Sequence, residues 1–177
     1  HMAKSDYIQS VLDAAGNKPY STEWYRNKIK EFGQPGRLDL IRDGKQAARP
    51  FGGTLNMFVY GPKFKKKLPY YDTFPLVLPI ETYSDGFLGL NFHYLPIPLR
   101  MRLLDKMLDS DLQTSYNAIK GVKLVKPTIH KYLSGYTKSQ FRKIEDDELV
   151  VATLLPVQNF KKASAKQVWA ESRKMIK

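Results

Sequence analysis

His93 and His130 are the only imidazoles in the chain apart from His1, which together with Met2 reads as an expression remnant set aside from the fold. Nucleophilic catalysis needs a nucleophile with a base beside it, and neither histidine has a motif partner. His93 closes an alternating apolar run and is expected as a hydrogen-bonded residue at a strand end. His130 lies beside Lys131, where contact with phosphate is a modest expectation. The chain has no cysteine. That removes disulfides, thiolate zinc sites, iron–sulfur ligation and a cysteine nucleophile together, and it suits a reducing compartment. Asp43-Gly44-Lys45, with Asp39 upstream, matches half of a metal-dependent nuclease pattern, but Asp-Gly is equally a turn dipeptide in a Pro- and Gly-rich stretch. The run Glu145-Asp146-Asp147-Glu148 lacks the ligand spacing and glycine of a calcium loop and reads as solvated acids. No glycine motif for a nucleotide phosphate is present. The expectation is a protein without catalytic residues, metal or cofactor.

Charge is more informative. Lys and Arg number 29 against 17 Asp and Glu, a net charge of +12. Such an excess opposes compactness through self-repulsion and points to an acidic partner. Basic residues recur at 26–49, 63–67, 100–106, 120–131 and 161–177. The segment Lys63-Phe64-Lys65-Lys66-Lys67 contains no acid, and Tyr70-Tyr71 follows it. Lysines in such a tip can hold phosphates while a neighbouring ring stacks on a base. The other reading makes Tyr70, Tyr71 and Phe74 core and leaves the lysines as solubilising charge. The candidate nucleic-acid contacts are Lys63, Phe64, Lys65, Lys66, Lys67, Arg100, Arg102, Lys126, His130, Lys131, Arg142 and Lys143. Lysine outnumbers arginine, which favours backbone contact over base reading. The expected partner is double-stranded DNA held without much sequence preference. No apolar run approaches the roughly 18 residues of a membrane span, so no membrane partner is expected. No feature of the chain sets an oligomeric state.

The elements that must position these residues divide the chain into a helical and basic N-terminal segment, 3–50, and a core domain, 51–177. Helices are expected over about 5–15 and from 21 or 22 to Gly33, then an irregular arm over 34–53. Residues 54–60, 74–80 and 86–94 read as three strands of an antiparallel meander, with Ser84-Asp85-Gly86 as a hairpin turn. Pro75 and Pro79 place the middle strand at an edge or a bend. Residues 98–109 form the clearest helix, with Leu99, Leu103, Leu104, Met107 and Leu108 inward and Arg100, Arg102 and Lys106 outward. A short helix over 111–119, a strand over 122–125 and an irregular or helical link over 127–133 follow. A basic helix is expected over 137–144, a buried strand over 149–155 and a final helix over 162–176. The fold class is therefore α+β: a small curved antiparallel sheet or partial barrel, SH3-like forms included, with flanking helices.

Three blocks carry a resemblance. Met57-Phe58-Val59-Tyr60-Gly61-Pro62-Lys63, Leu68-Pro69-Tyr70-Tyr71-Asp72-Thr73-Phe74-Pro75-Leu76-Val77 and Gly86-Phe87-Leu88-Gly89-Leu90-Asn91-Phe92-His93-Tyr94-Leu95-Pro96 together resemble the DNA end protector proteins of T-even-type tailed phages. They span about 40 residues, with a looser echo from Leu155-Pro156-Val157 to Trp169. The resemblance implies a virion protein that binds the ends of a linear genome, accompanies them at injection and blocks host exonuclease. It implies residence in the host cytoplasm and the virion, with phage head or neck proteins as further partners. A cap of this kind needs no catalytic group. The resemblance supplies no motif of DNA-contacting residues, so the contacts named above rest on charge. Two other functions fit the composition: a virion assembly or adaptor protein meeting acidic protein neighbours, and a metal-dependent DNA nuclease.

Overall fold

A computed structural model describes residues 45–177. The expected helices over 5–15 and 21–33, most of the 34–53 arm, and Asp39 and Asp43 lie outside the described residues.

Six strands make one antiparallel sheet: β1 (Gln46–Ala47), β2 (Asn56–Met57), β4 (Leu76–Tyr83), β5 (Gly86–Asn91), β6 (Ile129–Leu133) and β7 (Phe141–Lys143), in the order β1-β7-β2-β4-β5-β6. A separate pair joins β3 (Tyr71–Asp72) to β8 (Phe160–Lys161). The sheet curves without closing into a barrel, and the bridge Tyr60↔Thr137 draws the chain after β2 towards the segment between β6 and β7. Helices α1 (Ile97–Leu108), α2 (Tyr116–Ile119), α3 (Leu149–Leu154) and α4 (Ala165–Ile176) complete the α+β fold.

Alternation along the strands produces two cores. Leu55, Met57, Leu76, Leu78 and Leu90 pack with α1 and α3, whereas Phe58, Tyr60, Val77, Phe87, Tyr132 and Phe141 build a second, aromatic cluster. Phe58 stands at its centre, with ring centroids 4.6 Å from Phe141 and 5.4 Å from Tyr132. The approach is close enough to need glycine in β5. A Cβ on Gly86 would lie 2.0 Å from the Tyr132 carbonyl oxygen, and one on Gly89 would lie 2.3 Å from Val77 Cγ1.

The expected meander of β2, β4 and β5 is present, as are the helices at α1 and α4. Other expectations need correction. The middle strand, β4, is interior, lying between β2 and β5, and the bend is a register shift between Pro79 and Glu81. A bulge is where a strand tolerates the missing N–H of proline. Residues 149–154 are helix α3, not a strand; every one is buried. A short apolar run that is covered all round carries no periodicity to tell helix from strand. The 3-10 turn that leads into it, Asp146–Glu148, carries a reciprocal capping box of the Glu145 and Glu148 side chains with the backbone. Residues 141–143 form β7 where a helix was expected, because Phe141 enters the aromatic cluster. Residues 129–133 form β6, pairing with β5 from Gly86↔Leu133 to Leu90↔Ile129. Residues 123–125 make a single 3-10 turn rather than a strand.

Candidate nucleic-acid interface

The basic tip is a compact turn. The Lys67 and Leu68 amides donate to the Phe64 carbonyl at 2.9 and 3.1 Å. The β3–β8 pair ties its base to the C-terminal part of the chain. Lys162, at φ 71°, sends its ammonium to the Lys65 and Leu68 carbonyls, the latter at 2.9 Å. Lys63, Phe64, Lys65, Lys66 and Lys67 are all exposed, with Phe64 at 56%. Among the described residues no carboxylate lies within ion-pair distance of these four lysines. The Lys63 ammonium lies 5.4 Å from the Phe64 ring centroid.

Beside the tip lies a cavity of about 420 Å³. Lys63, Phe64, Leu68, Pro69 and Tyr70 form one wall, and Lys126, Pro127, Ile129, His130 and Lys131 another. Tyr132 lines it from β6, Tyr94 from the 3-10 turn after β5, Tyr60 from its bridge to Thr137, and Ser172 and Met175 from α4. Its rings are held by one another. Tyr94 lies 4.2 Å from the His130 ring at 33°, Tyr70 lies 6.2 Å from Tyr94, and Tyr132 lies 5.0 Å from Tyr60 at 78°. The Leu133 amide donates to the Tyr60 hydroxyl at 2.9 Å. The Ser172 side chain is buried and its hydroxyl has no partner among the described residues.

Asp72 also borders the cavity, its side chain almost wholly buried. Its Oδ1 accepts from the Phe74 and Asn159 amides, both at 3.0 Å, and its Oδ2 from Asn91 Nδ2 at 3.0 Å and His93 Nδ1 at 2.8 Å. Burial pushes the carboxyl up, but the His93 ring and the donors from Asn91 and Asn159 outweigh it and hold its pKa below the usual value. Burial pulls His93 down against the pull of Asp72, so the ring is neutral and donates through Nδ1. His93 is thus the hydrogen-bonded residue expected at a strand end.

The twelve candidate contacts separate into groups. Lys63, Phe64, Lys126, His130 and Lys131 come together around the cavity, with Lys65, Lys66 and Lys67 on the adjoining tip. His130 is no cation there, because burial pulls its pKa down to about 4. Lys131 is shared with Asp85 at 3.0 Å and lies 5.0 Å above the Tyr83 ring. Arg102 is exposed on α1, away from this lining. Arg142 is buried in a two-pronged pair with Glu148 at 2.8 and 3.0 Å, and Lys143 lies 3.7 Å from Glu145.

Arg100, expected to face out, is fully buried. The inward face of α1 holds Leu103, Leu104 and Met107 of the expected stripe, with Leu99 and Leu108 partly buried at its margin, and it also takes in Ile97, Arg100 and Met101. The Arg100 guanidinium donates to the Leu95 carbonyl at 2.7 Å and to Gln158 Oε1 at 3.0 Å, and lies 5.5 Å from the Trp169 ring. Burial lowers its pKa to about 9, which leaves it charged at neutral pH. It joins α1, the segment after α3 and α4, and touches no outside partner.

The family described as phage T4 terminal DNA protecting protein matches residues 4–172. The chain belongs to that family. No curated protein and no solved structure matches it. The match extends far beyond the three blocks that carried the resemblance, and it takes in the tip and all of the cavity lining but Met175. In this member of the family the cavity offers rings, hydroxyl and ammonium groups, and the buried Asp72 carboxylate. Such a lining can hold an anionic, aromatic ligand. Tyr60, Tyr94, Tyr132, Ser172 and Met175 were missing from the charge-based contacts. They lie up to 115 residues apart in the chain (60 to 175) and carry no local pattern that would join them.

Proposed function

We propose that this protein binds the ends of linear double-stranded phage DNA through the lysine tip and the adjoining cavity, without reading sequence, and so denies exonucleases their starting point. One observation carries the reading: the unpaired lysines of the tip flank an aromatic cavity in a member of a terminal DNA protecting family. Lysines there neutralise phosphates and release counterions, while rings give a duplex end something to stack on that a continuous duplex cannot reach. Protection then comes from occupancy and involves no bond chemistry. The protein acts in the infected host cell and in the virion, where the genome ends lie.

Equilibrium binding tests this. Linear and closed circular forms of one DNA are titrated at several salt concentrations. Linear DNA is expected to bind more tightly, with affinity falling steeply as salt rises. Equal affinity for the two forms would refute end binding. Absence of DNA affinity would transfer the basic surface to acidic protein neighbours in the virion.

A further inference from the structure

The cavity has properties that the outside of a duplex does not require. Its volume of about 420 Å³ lies within the roughly 300–1,000 Å³ of small-ligand sites. A tip built only for phosphate contact needs no concavity, and a flat end of stacked base pairs would cover the opening without filling it. The lining is mainly ring and aliphatic surface, with lysines at two sides. Burial keeps the His130 ring uncharged, so it meets a ligand as an aromatic face beside Tyr94. The Ser172 hydroxyl lies beneath this lining, buried and without a hydrogen-bond partner among the described residues. Asp72 also borders the cavity and its carboxylate is charged, so an anionic group belongs on the Lys63 and Lys126 side and not against Asp72.

We infer that this cavity receives an unpaired nucleotide at the terminus of a DNA strand, its base among Tyr70, Tyr94 and His130 and its phosphate near Lys63 and Lys126. This rests on the end-binding reading above and adds to it that the end is held frayed. Drawing a base out of a duplex costs pairing and stacking energy, and least where the base is already unpaired. The protein therefore prefers an end that needs no fraying.

The test uses the full-length chain and three labelled duplexes of one sequence: both termini closed by hairpin loops, both open and fully paired, and both open with one unpaired terminal nucleotide. Affinities are read by fluorescence anisotropy. Wild type is expected to bind the unpaired end about tenfold tighter than the paired end, and the closed duplex weakest. Two variants alter the cavity at different places. Met175→Trp fills it from an exposed position, and Tyr70→Ala removes a half-buried wall ring. Both should lose the tenfold preference, with thermal melting confirming that each is folded. Equal wild-type affinity for unpaired and paired open ends overturns the inference, and so does a preference that survives in both variants; in either case end binding itself stands. Equal affinity for open and closed duplexes instead removes the end-binding reading, and the cavity inference with it.

Discussion

Arg100 shows what a single side chain does in this molecule. Its guanidinium takes up the Leu95 carbonyl and Gln158 and stacks near Trp169, all at no solvent exposure. Truncation would leave buried acceptors unsatisfied and a void against α1. Arg100→Ala should cost about 3 kcal/mol and lower the Tm by roughly 10 °C; a loss below about 1 kcal/mol in denaturant melts would show that the clamp is incidental. The sequence could not reveal this, because an arginine between leucines on an amphipathic helix is normally solvated. Asp72 and His93 are similar in kind. The strand-end hydrogen bond of His93 was legible from its position, but its partner twenty-one residues earlier was not.

Elements divide by whether local pattern decides them. The β4–β5 hairpin was legible from alternation and its Ser84-Asp85-Gly86 turn, and α4 from its apolar stripe, whereas the Ser164 capping box that starts α4 was not. Helix α3 was not, since burial on all sides erases the period. Strands β6 and β7 are decided by Tyr132 and Phe141 entering a cluster built from distant residues. Tertiary contact there overrides the local preference. The tip was legible as a turn with unpaired lysines, and its charge can be tested separately from the fold. Changing Lys63, Lys65, Lys66 and Lys67 together to Ala should leave thermal stability unchanged, because the side chains are exposed and the turn is held by backbone bonds and Lys162. DNA affinity should fall more than tenfold at about 0.1 M salt, and the slope of log affinity against log salt should become shallower by about two or more. An unaltered slope would move the contact elsewhere.

For the whole molecule, the net charge of +12 is distributed unequally. Arg142, Lys143, Lys131 and Lys174 each have a carboxylate partner, whereas the tip lysines, like Lys106, Lys120 and Lys126, have none among the described residues. The curved sheet brings β6, the tip and α4 around one cavity, so distant parts of the chain line the same concavity. Composition alone announced a basic protein; the place where that charge meets rings required the fold. The proposed protection arises from occupying ends and not from coating the duplex. It is tested by digesting linear duplexes of different lengths with a double-strand exonuclease while the protein is titrated. Full protection is expected at a fixed small number of protein molecules per DNA molecule, whatever its length. Protection that requires protein in proportion to duplex length would contradict it.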